Sequence, residues 1–187
     1  MIKEKLHQIK EMVEHLLEEP FEYPEHCDYR GMYRDDKNML RYSKVRDVKD
    51  PIRANPNDAG FDLFIPNDIK EPYVFNFGDT HLIASGLHFN VPKGFMLMVQ
   101  DKSGIAVKKG LKVGAKIIDE GYQGEVLIHL TKIIDDDEPS TLNPGDKFVQ
   151  VLMIPVSYAL LCEQPYDTLY PEKSGRGEGG FGSTGEK

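Results

Sequence analysis

His81-Leu-Ile-Ala-Ser-Gly-Leu-His-Phe-Asn-Val-Pro-Lys-Gly-Phe-Met-Leu-Met-Val99 is the stretch whose reading decides the fold. It holds two short apolar runs, residues 81–91 and 95–99, parted by Pro92 and Gly94. In the first, Leu82, Ala84, Leu87, Phe89 and Val91 partly alternate, as one half-buried strand would. Working outward, the same texture recurs at residues 73–77, 126–134 and 148–156, always punctuated by Gly, Pro, Asp or Asn. Short strands with turn signals at this frequency predict an all-β sandwich or barrel from residue 44 onward. Residues 103–110 break the pattern. Ser103 is a good N-cap, Ile105, Ala106 and Val107 can pack, and Gly110 suits the position after a helix, so a helical turn or two is expected there.

The flanks read differently. Ile2, Leu6, Ile9, Val13 and Leu16 follow a four–three spacing, joined by Met12 and Leu17, and Pro20 ends the run, which predicts a helix over residues 2–18. Such a helix ordinarily packs on its own domain or a neighbouring subunit; a dedicated partner-binding helix is the other reading. Residues 21–43 show no period and read as an irregular linker. His26, Cys27 and Asp28 adjoin without further spaced metal ligands, so they read as a chance cluster. The tail, residues 172–187, is too rich in glycine and too poor in apolar residues to build a core and reads as flexible. The expected organisation is therefore an N-terminal helix and extension over 1–43, a β domain over 44–171, and a tail over 172–187.

Composition narrows the function. The chain has 187 residues and a net charge of −8, which argues against a general nucleic-acid binder but leaves room for a phosphate-bearing small molecule. No apolar run nears the roughly 18 residues of a membrane span. The N-terminus alternates charge and hydrophobe, unlike a secretory signal. Cys27 and Cys162 have no paired spacing, so neither a disulfide framework nor a zinc knuckle is indicated. A soluble, cytoplasmic protein without a membrane partner is expected.

Three local features bear on chemistry. Lys102-Ser-Gly104 opens the short helix, where unpaired amides and the positive helix end favour an anion; most Ser-Gly pairs at such a place are merely caps. Ile117-Ile-Asp-Glu-Gly-Tyr-Gln-Gly-Glu125 followed by residues 126–130 reads as a β-hairpin with Asp119 near its tip, an aspartate that is either structural or a general base. In the tail, Gly175, Gly177 and Gly180 satisfy G-x-G-x-x-G, but no strand, helix and acidic residue surround them as a dinucleotide site requires. Arg176, Phe181, Ser183 and Thr184 are what a lid over a nucleotide would need: a phosphate partner, a ring to stack on a base, and hydroxyls.

Order and spacing join these pieces. Asp58-Ala-Gly-Phe-Asp-Leu63, Lys102-Ser-Gly-Ile-Ala106, Ile118-Asp-Glu-Gly-Tyr-Gln-Gly124, Gly145-Asp-Lys-Phe-Val-Gln150 and Arg176-Gly-Glu-Gly-Gly-Phe-Gly-Ser-Thr-Gly185 follow one another along the chain. In succession they resemble the five motifs of the trimeric dUTPase family, over about residues 44–187. The resemblance implies a distorted jelly-roll β-barrel, a homotrimer with sites at subunit boundaries, and Mg²⁺-assisted hydrolysis of dUTP to dUMP and pyrophosphate. That reaction keeps uracil out of DNA and supplies dUMP for thymidylate synthesis. It also gives the tail a task, as a lid ordered by substrate. By the same resemblance Asp119 would activate the attacking water, and Tyr122 would pack under the sugar. The backbone of residues 113–121 would read the uracil edge. Lys102, Ser103 and Gly104 would hold phosphates, while Asp62 (through water to the metal) and Gln150 would steady the metal–water and phosphate network. Arg176, Gly182, Ser183 and Thr184 would close on the phosphate end with Phe181 on the base, and Mg²⁺ would be held mainly by the triphosphate.

Some positions depart from the family. Its second motif usually reads Pro-Arg-Ser-Gly where this chain has Asp101-Lys-Ser-Gly104. Lysine keeps the charge and loses the bidentate fork, and Asp101 suits a phosphate site only if it faces away or helps the metal's waters. Lys147 stands where arginine is common, and Lys116 where glycine is. Two rivals follow. dCTP deaminase shares the fold but carries a glutamate where this chain has His129. A regulatory or binding protein on the same fold is suggested by the N-terminal arm and by Asp135-Asp-Asp-Glu138, although such charge runs are usually solvated loops.

Overall fold

The computed structural model describes residues 39–170 together with residues 172, 175, 177 and 178. The expected N-terminal helix, the His26–Cys27–Asp28 group, and the tail residues Arg176, Phe181, Gly182, Ser183 and Thr184 lie outside the described residues. The described residues from 40 onward fall in one compact unit. It is all-β, as expected, with eleven strands: β1 (Arg41–Lys44), β2 (Phe61–Phe64), β3 (Tyr73–Phe75), β4 (Thr80–Ala84), β5 (Leu87–Asn90), β6 (Phe95–Asp101), β7 (Leu111–Val113), β8 (Ile117–Ile118), β9 (Leu127–Lys132), β10 (Ser140–Leu142) and β11 (Lys147–Pro155). Helix α1 (Ser103–Lys109) lies between β6 and β7, and a short α2 (Tyr166–Leu169) follows β11. β1 begins inside what the sequence suggests is linker.

The strands pair as β2-β11-β6-β8, β4-β9-β7, β1-β5 and β10-β3, with antiparallel pairings throughout. Their inward faces meet in a core that includes Leu63, Phe75, Ile83, Leu97, Ile128, Leu130 and Phe148, all essentially without solvent contact. Each such side chain contributes about 1.5–3 kcal/mol through burial.

Residues 81–91 are two strands rather than one. Gly86 sits at φ +76, and a Cβ there would lie 2.8 Å from Arg46 Cγ and 2.9 Å from Val48 Cγ1. Burial nevertheless keeps one phase across the break, with Ile83, Ser85, Leu87, Phe89 and Val91 all buried. Leu87, Phe89 and Val91 point inward as expected, whereas on β4 Ile83 is buried and Leu82 is 60% exposed. A phase change does lie in β11, where the pairing with β2 shifts register between Lys147 and Val149. Phe148 and Val149 are consecutive and both buried, which strict alternation forbids. This bulge returns Lys147 to the face that carries Gln150.

The predicted hairpin at residues 117–130 does not form. β8 pairs with β6, and β9 pairs with β4 and β7, so residues 119–126 cross from one sheet to another. The acidic run at residues 135–138 is also more than a solvated loop. The wholly buried side chain of Lys132 donates to Asp136 Oδ1 at 2.6 Å and to the Glu138 carbonyl. A buried ammonium needs such partners.

Candidate active site

Asp62, on β2, is the centre of a polar cluster. It is 6% exposed, directly opposite Gln150 of β11, which in turn lies opposite Gln100 of β6. Residues opposite one another share a sheet face, so the three form a row across the sheet. Lys102, one residue past the end of β6, places its Nζ 3.0 Å from Asp62 Oδ1 and 3.1 Å from Oδ2. Lys147 places its Nζ 2.9 Å from Oδ2, a contact that the β11 bulge makes possible. Burial pushes the Asp62 carboxyl upward, but hydrogen bonds from Lys147 and Lys102 outweigh it and hold the group below its ordinary range. Two ammonium groups against one carboxylate leave the cluster with one net positive charge.

Helix α1 starts one residue earlier than a Ser103 cap would have it. Lys102 is the N-cap, its carbonyl accepts from the Ile105 and Ala106 amides, and no side chain caps the end. Ser103 and Gly104 are both solvent-facing, beside the Lys102–Asp62 pair. Gly110, at φ +62, ends the helix and turns the chain into β7. Asp101 faces away from the cluster. Its Oδ1 accepts from the Val113 amide at 2.8 Å and its Oδ2 from Lys112 Nζ at 2.9 Å. Its carbonyl accepts from Gln150 Nε2 at 3.0 Å.

Asp119 and Tyr122 line a separate open pocket of about 210 Å³ with Ile117, Ile118, Val126 and Leu127. The segment holding them is pinned at both ends. Glu120 Oε2 accepts from the Gly94 amide at 2.8 Å and the Tyr158 hydroxyl at 2.5 Å, and Glu125 Oε1 accepts from the Gly86 amide at 2.7 Å. These hydrogen bonds keep Glu120 below its ordinary range, the Tyr158 hydroxyl contributing most. The Tyr122 hydroxyl donates to the Glu125 carbonyl at 3.0 Å, and a Cβ on Gly124 would lie 2.4 Å from that hydroxyl oxygen. The tyrosine therefore lies folded back over Gly124.

The two groups stand at opposite ends of β6. Ile118 lies opposite Leu97 and Ile117 opposite Met98, so the chain runs on to Asp119 away from Asp101 and Lys102. At about 3.3 Å per residue along a strand, Asp119 and Lys102 are roughly 20 Å apart within one chain.

The structure thus gathers Asp62, Lys102 and Gln150, sets Ser103 and Gly104 beside them, and keeps Asp119 and Tyr122 in a second pocket. Sequence reading treats Lys147 as a family departure and not as a site residue; the bulge brings it in. It also passes over Glu120 and Glu125, whose positions flanking Asp119 and Tyr122 were the available signal. His129 does not line the Asp119 pocket. Its Nδ1 is buried without a hydrogen-bond partner, packed so tightly that a Cβ on Gly114 would lie 2.0 Å away.

A family model described as dUTPase matches residues 46–185. The chain is 35% identical over 137 residues to the deoxyuridine 5'-triphosphate nucleotidohydrolase of Leifsonia xyli subsp. xyli, covering 72% of this chain and 84% of that protein. It is 33% identical over 149 residues to the enzyme of the same name from Wolbachia sp. subsp. Drosophila simulans, covering 79% and 94%. Among solved structures, the Staphylococcus bacteriophage 80alpha dUTPase with dUPNHPP superposes with a TM-score of 0.67 at 22% identity, covering 79% of this chain and 99% of that one. A dUTPase from phage phi11 of S. aureus, described with a structural Mg(II) ion, gives a TM-score of 0.61 at 20% identity, covering 70% and 99%.

Proposed function

The chain belongs to the dUTPase family, and from that premise we propose that it hydrolyses dUTP to dUMP and pyrophosphate at a site shared between copies in a homotrimer. The observation that carries this reading is the cluster in which Lys102 and Lys147 meet over Asp62, backed by Gln150. These residues come from the second, fourth and first motifs of the family pattern, and together they form a cationic seat for phosphate.

Electrostatics supports a metal as well. A triphosphate carries far more negative charge than one net cation can offset, and Mg²⁺ bound to it would neutralise part of the remainder. Among the described residues, no trio of His, Cys, Asp and Glu converges as a metal cage. Both oxygens of Asp62 already accept from lysine. This donor set fits an ion held chiefly by the phosphates, with Asp62 steadying its waters.

In the proposed reaction, Asp119 takes a proton from a water that attacks the α-phosphorus in line with the departing pyrophosphate. Tyr122 packs against the sugar, and the backbone of residues 113–121 reads the uracil edge. Arg176, Ser183 and Thr184 grip the phosphate end, Phe181 covers the base, and Gly182 lets the backbone come close. A general base must lie within hydrogen-bond reach of the water it activates. The roughly 20 Å between Asp119 and Lys102 within one chain supports a site in which different copies supply the base and the phosphate lysine. Asp119 from one copy would therefore serve the phosphate cluster of another. The segment after β11 supports association too: Leu160 is 96% exposed and Leu161 100% exposed, an apolar pair that a neighbouring copy would cover.

Subunit mixing tests this arrangement. Asp119→Asn and Lys102→Ala/Lys147→Ala trimers should each be inactive, and a 1:1 reassembled mixture should regain about one quarter of wild-type turnover, the fraction of sites holding both intact halves. A mixture as inactive as its parents would show that each site is built from one chain.

A further inference from the structure

We propose that Asp101 is a positioning residue for the phosphate seat, a side-chain clasp that fixes Lys102 where the family ordinarily has a proline followed by arginine. The proposal rests on the dUTP reading above and deepens it. Asp101 ends β6, Lys102 follows, and the chain then makes the excursion of α1 before returning as β7. The Asp101 carboxylate bridges the two ends of that excursion, accepting from the Val113 amide at 2.8 Å and from Lys112 Nζ at 2.9 Å. Its carbonyl is held from the other side by Gln150 Nε2 at 3.0 Å. Three hydrogen bonds, from β7 and β11, thus fix the residue immediately before the phosphate lysine.

Chemistry explains why this chain would need them. Proline pre-sets its own backbone angle, and arginine brings a rigid planar fork. Aspartate and lysine bring neither, and the lysine ammonium rides on a flexible four-carbon stem. Fixing the backbone at residue 101 restores a defined starting point for that stem, which then reaches Asp62 at 3.0 Å. The clasp is itself well matched. Burial pushes the Asp101 carboxyl upward, but the Lys112 ammonium and the Val113 amide hold it below its ordinary range, so it remains a charged acceptor. The same contacts direct its negative charge away from an incoming phosphate.

Calorimetric titration of the full chain tests the idea with three probes: deoxyuridine, Mg²⁺·tripolyphosphate, and Mg²⁺·dUTP whose α,β-bridging oxygen is replaced by NH. Asp101→Ala should weaken both phosphate ligands about tenfold and leave deoxyuridine within about twofold, because a displaced Lys102 affects only the phosphate end. Asp101→Asn keeps an acceptor for the Val113 amide and should recover to within about threefold of wild type. Unchanged phosphate affinity in Asp101→Ala, or a parallel loss for deoxyuridine, would overturn the proposal. Should Asp101→Ala not fold, Lys112→Met, which removes only the Oδ2 contact, should weaken the phosphate ligands about threefold; no change there would overturn it equally. Wild-type protein that binds no imido-dUTP would defeat the dUTP reading itself, whereas wild-type binding with an indifferent Asp101→Ala would defeat this proposal alone.

Discussion

Asp62→Asn is the substitution on which the site's electrostatics can be tested most fully. The change keeps the shape of a 6%-exposed side chain and removes the charge that two ammonium groups share at 3.0, 3.1 and 2.9 Å. Hydrogen bonds to charged groups contribute about 1.5–3 kcal/mol each. The lysine side chains are 31% and 34% exposed, so both ammonium groups regain water, and the amide oxygen keeps one acceptor. The expected net loss is about 2 kcal/mol, or about 4–8 °C in melting temperature for a chain of this size. The sign with pH follows from the lowered Asp62 value, which Lys147 and Lys102 hold down against burial. A carboxylate whose folded value is depressed stabilises the fold fully above its unfolded value, near 4, and loses that contribution as pH falls through the folded one. Urea denaturation should therefore show the full gap between wild type and Asp62→Asn at pH 7 and a shrinking gap below about pH 4. A gap that stayed constant, or widened in acid, would refute the two-lysine account. Turnover should fall by about 10–100-fold as the phosphate seat loses its fixed geometry.

Other consequences are sharp enough to measure. Asp119→Asn should lower kcat by about 10²–10⁴-fold while Mg²⁺·dUTP binding stays nearly intact, and comparable turnover would remove Asp119 from the role of base. Deleting residues 174–187 should leave a folded assembly with little activity, checked by size-exclusion chromatography and pyrophosphate release; an unaffected rate would contradict the lid. Gly86→Ala should cost about 2–4 kcal/mol, from the left-handed backbone at φ +76 and a Cβ 2.9 Å from Val48 Cγ1. A urea midpoint unchanged by that substitution would mean that the break between β4 and β5 does not depend on glycine.

What could be read from the residues alone was local. Apolar runs between Gly and Pro identify strands because side-chain period and turn chemistry are properties of neighbours in the chain. Asp62, Lys102 and Gln150 were legible as candidates for one site because their motifs stand in family order, and the fold gathers them in one cluster. Lys147 was legible only as a departure, since its place beside Asp62 depends on a bulge at Phe148 that no period announces. The failed hairpin at residues 117–130 has the same cause. Two strands joined by a turn look like partners, and only the competing edge of β6 shows that β8 pairs elsewhere. Gly86 is plain in the sequence, but its close approach to Arg46 and Val48 is not, nor is the burial of Ile83 in place of Leu82 on β4. The direction of Asp101 was likewise undecided until β7 supplied its partners.

The central claim is that this chain cleaves dUTP and discriminates by the uracil edge and the sugar. Pyrophosphate release should be measured with Mg²⁺ on dUTP, dCTP, dTTP and UTP, with ammonia followed in parallel. The account predicts rapid release from dUTP, little from the other three, and no ammonia. Ammonia from dCTP, or dUTP binding without turnover, would contradict it.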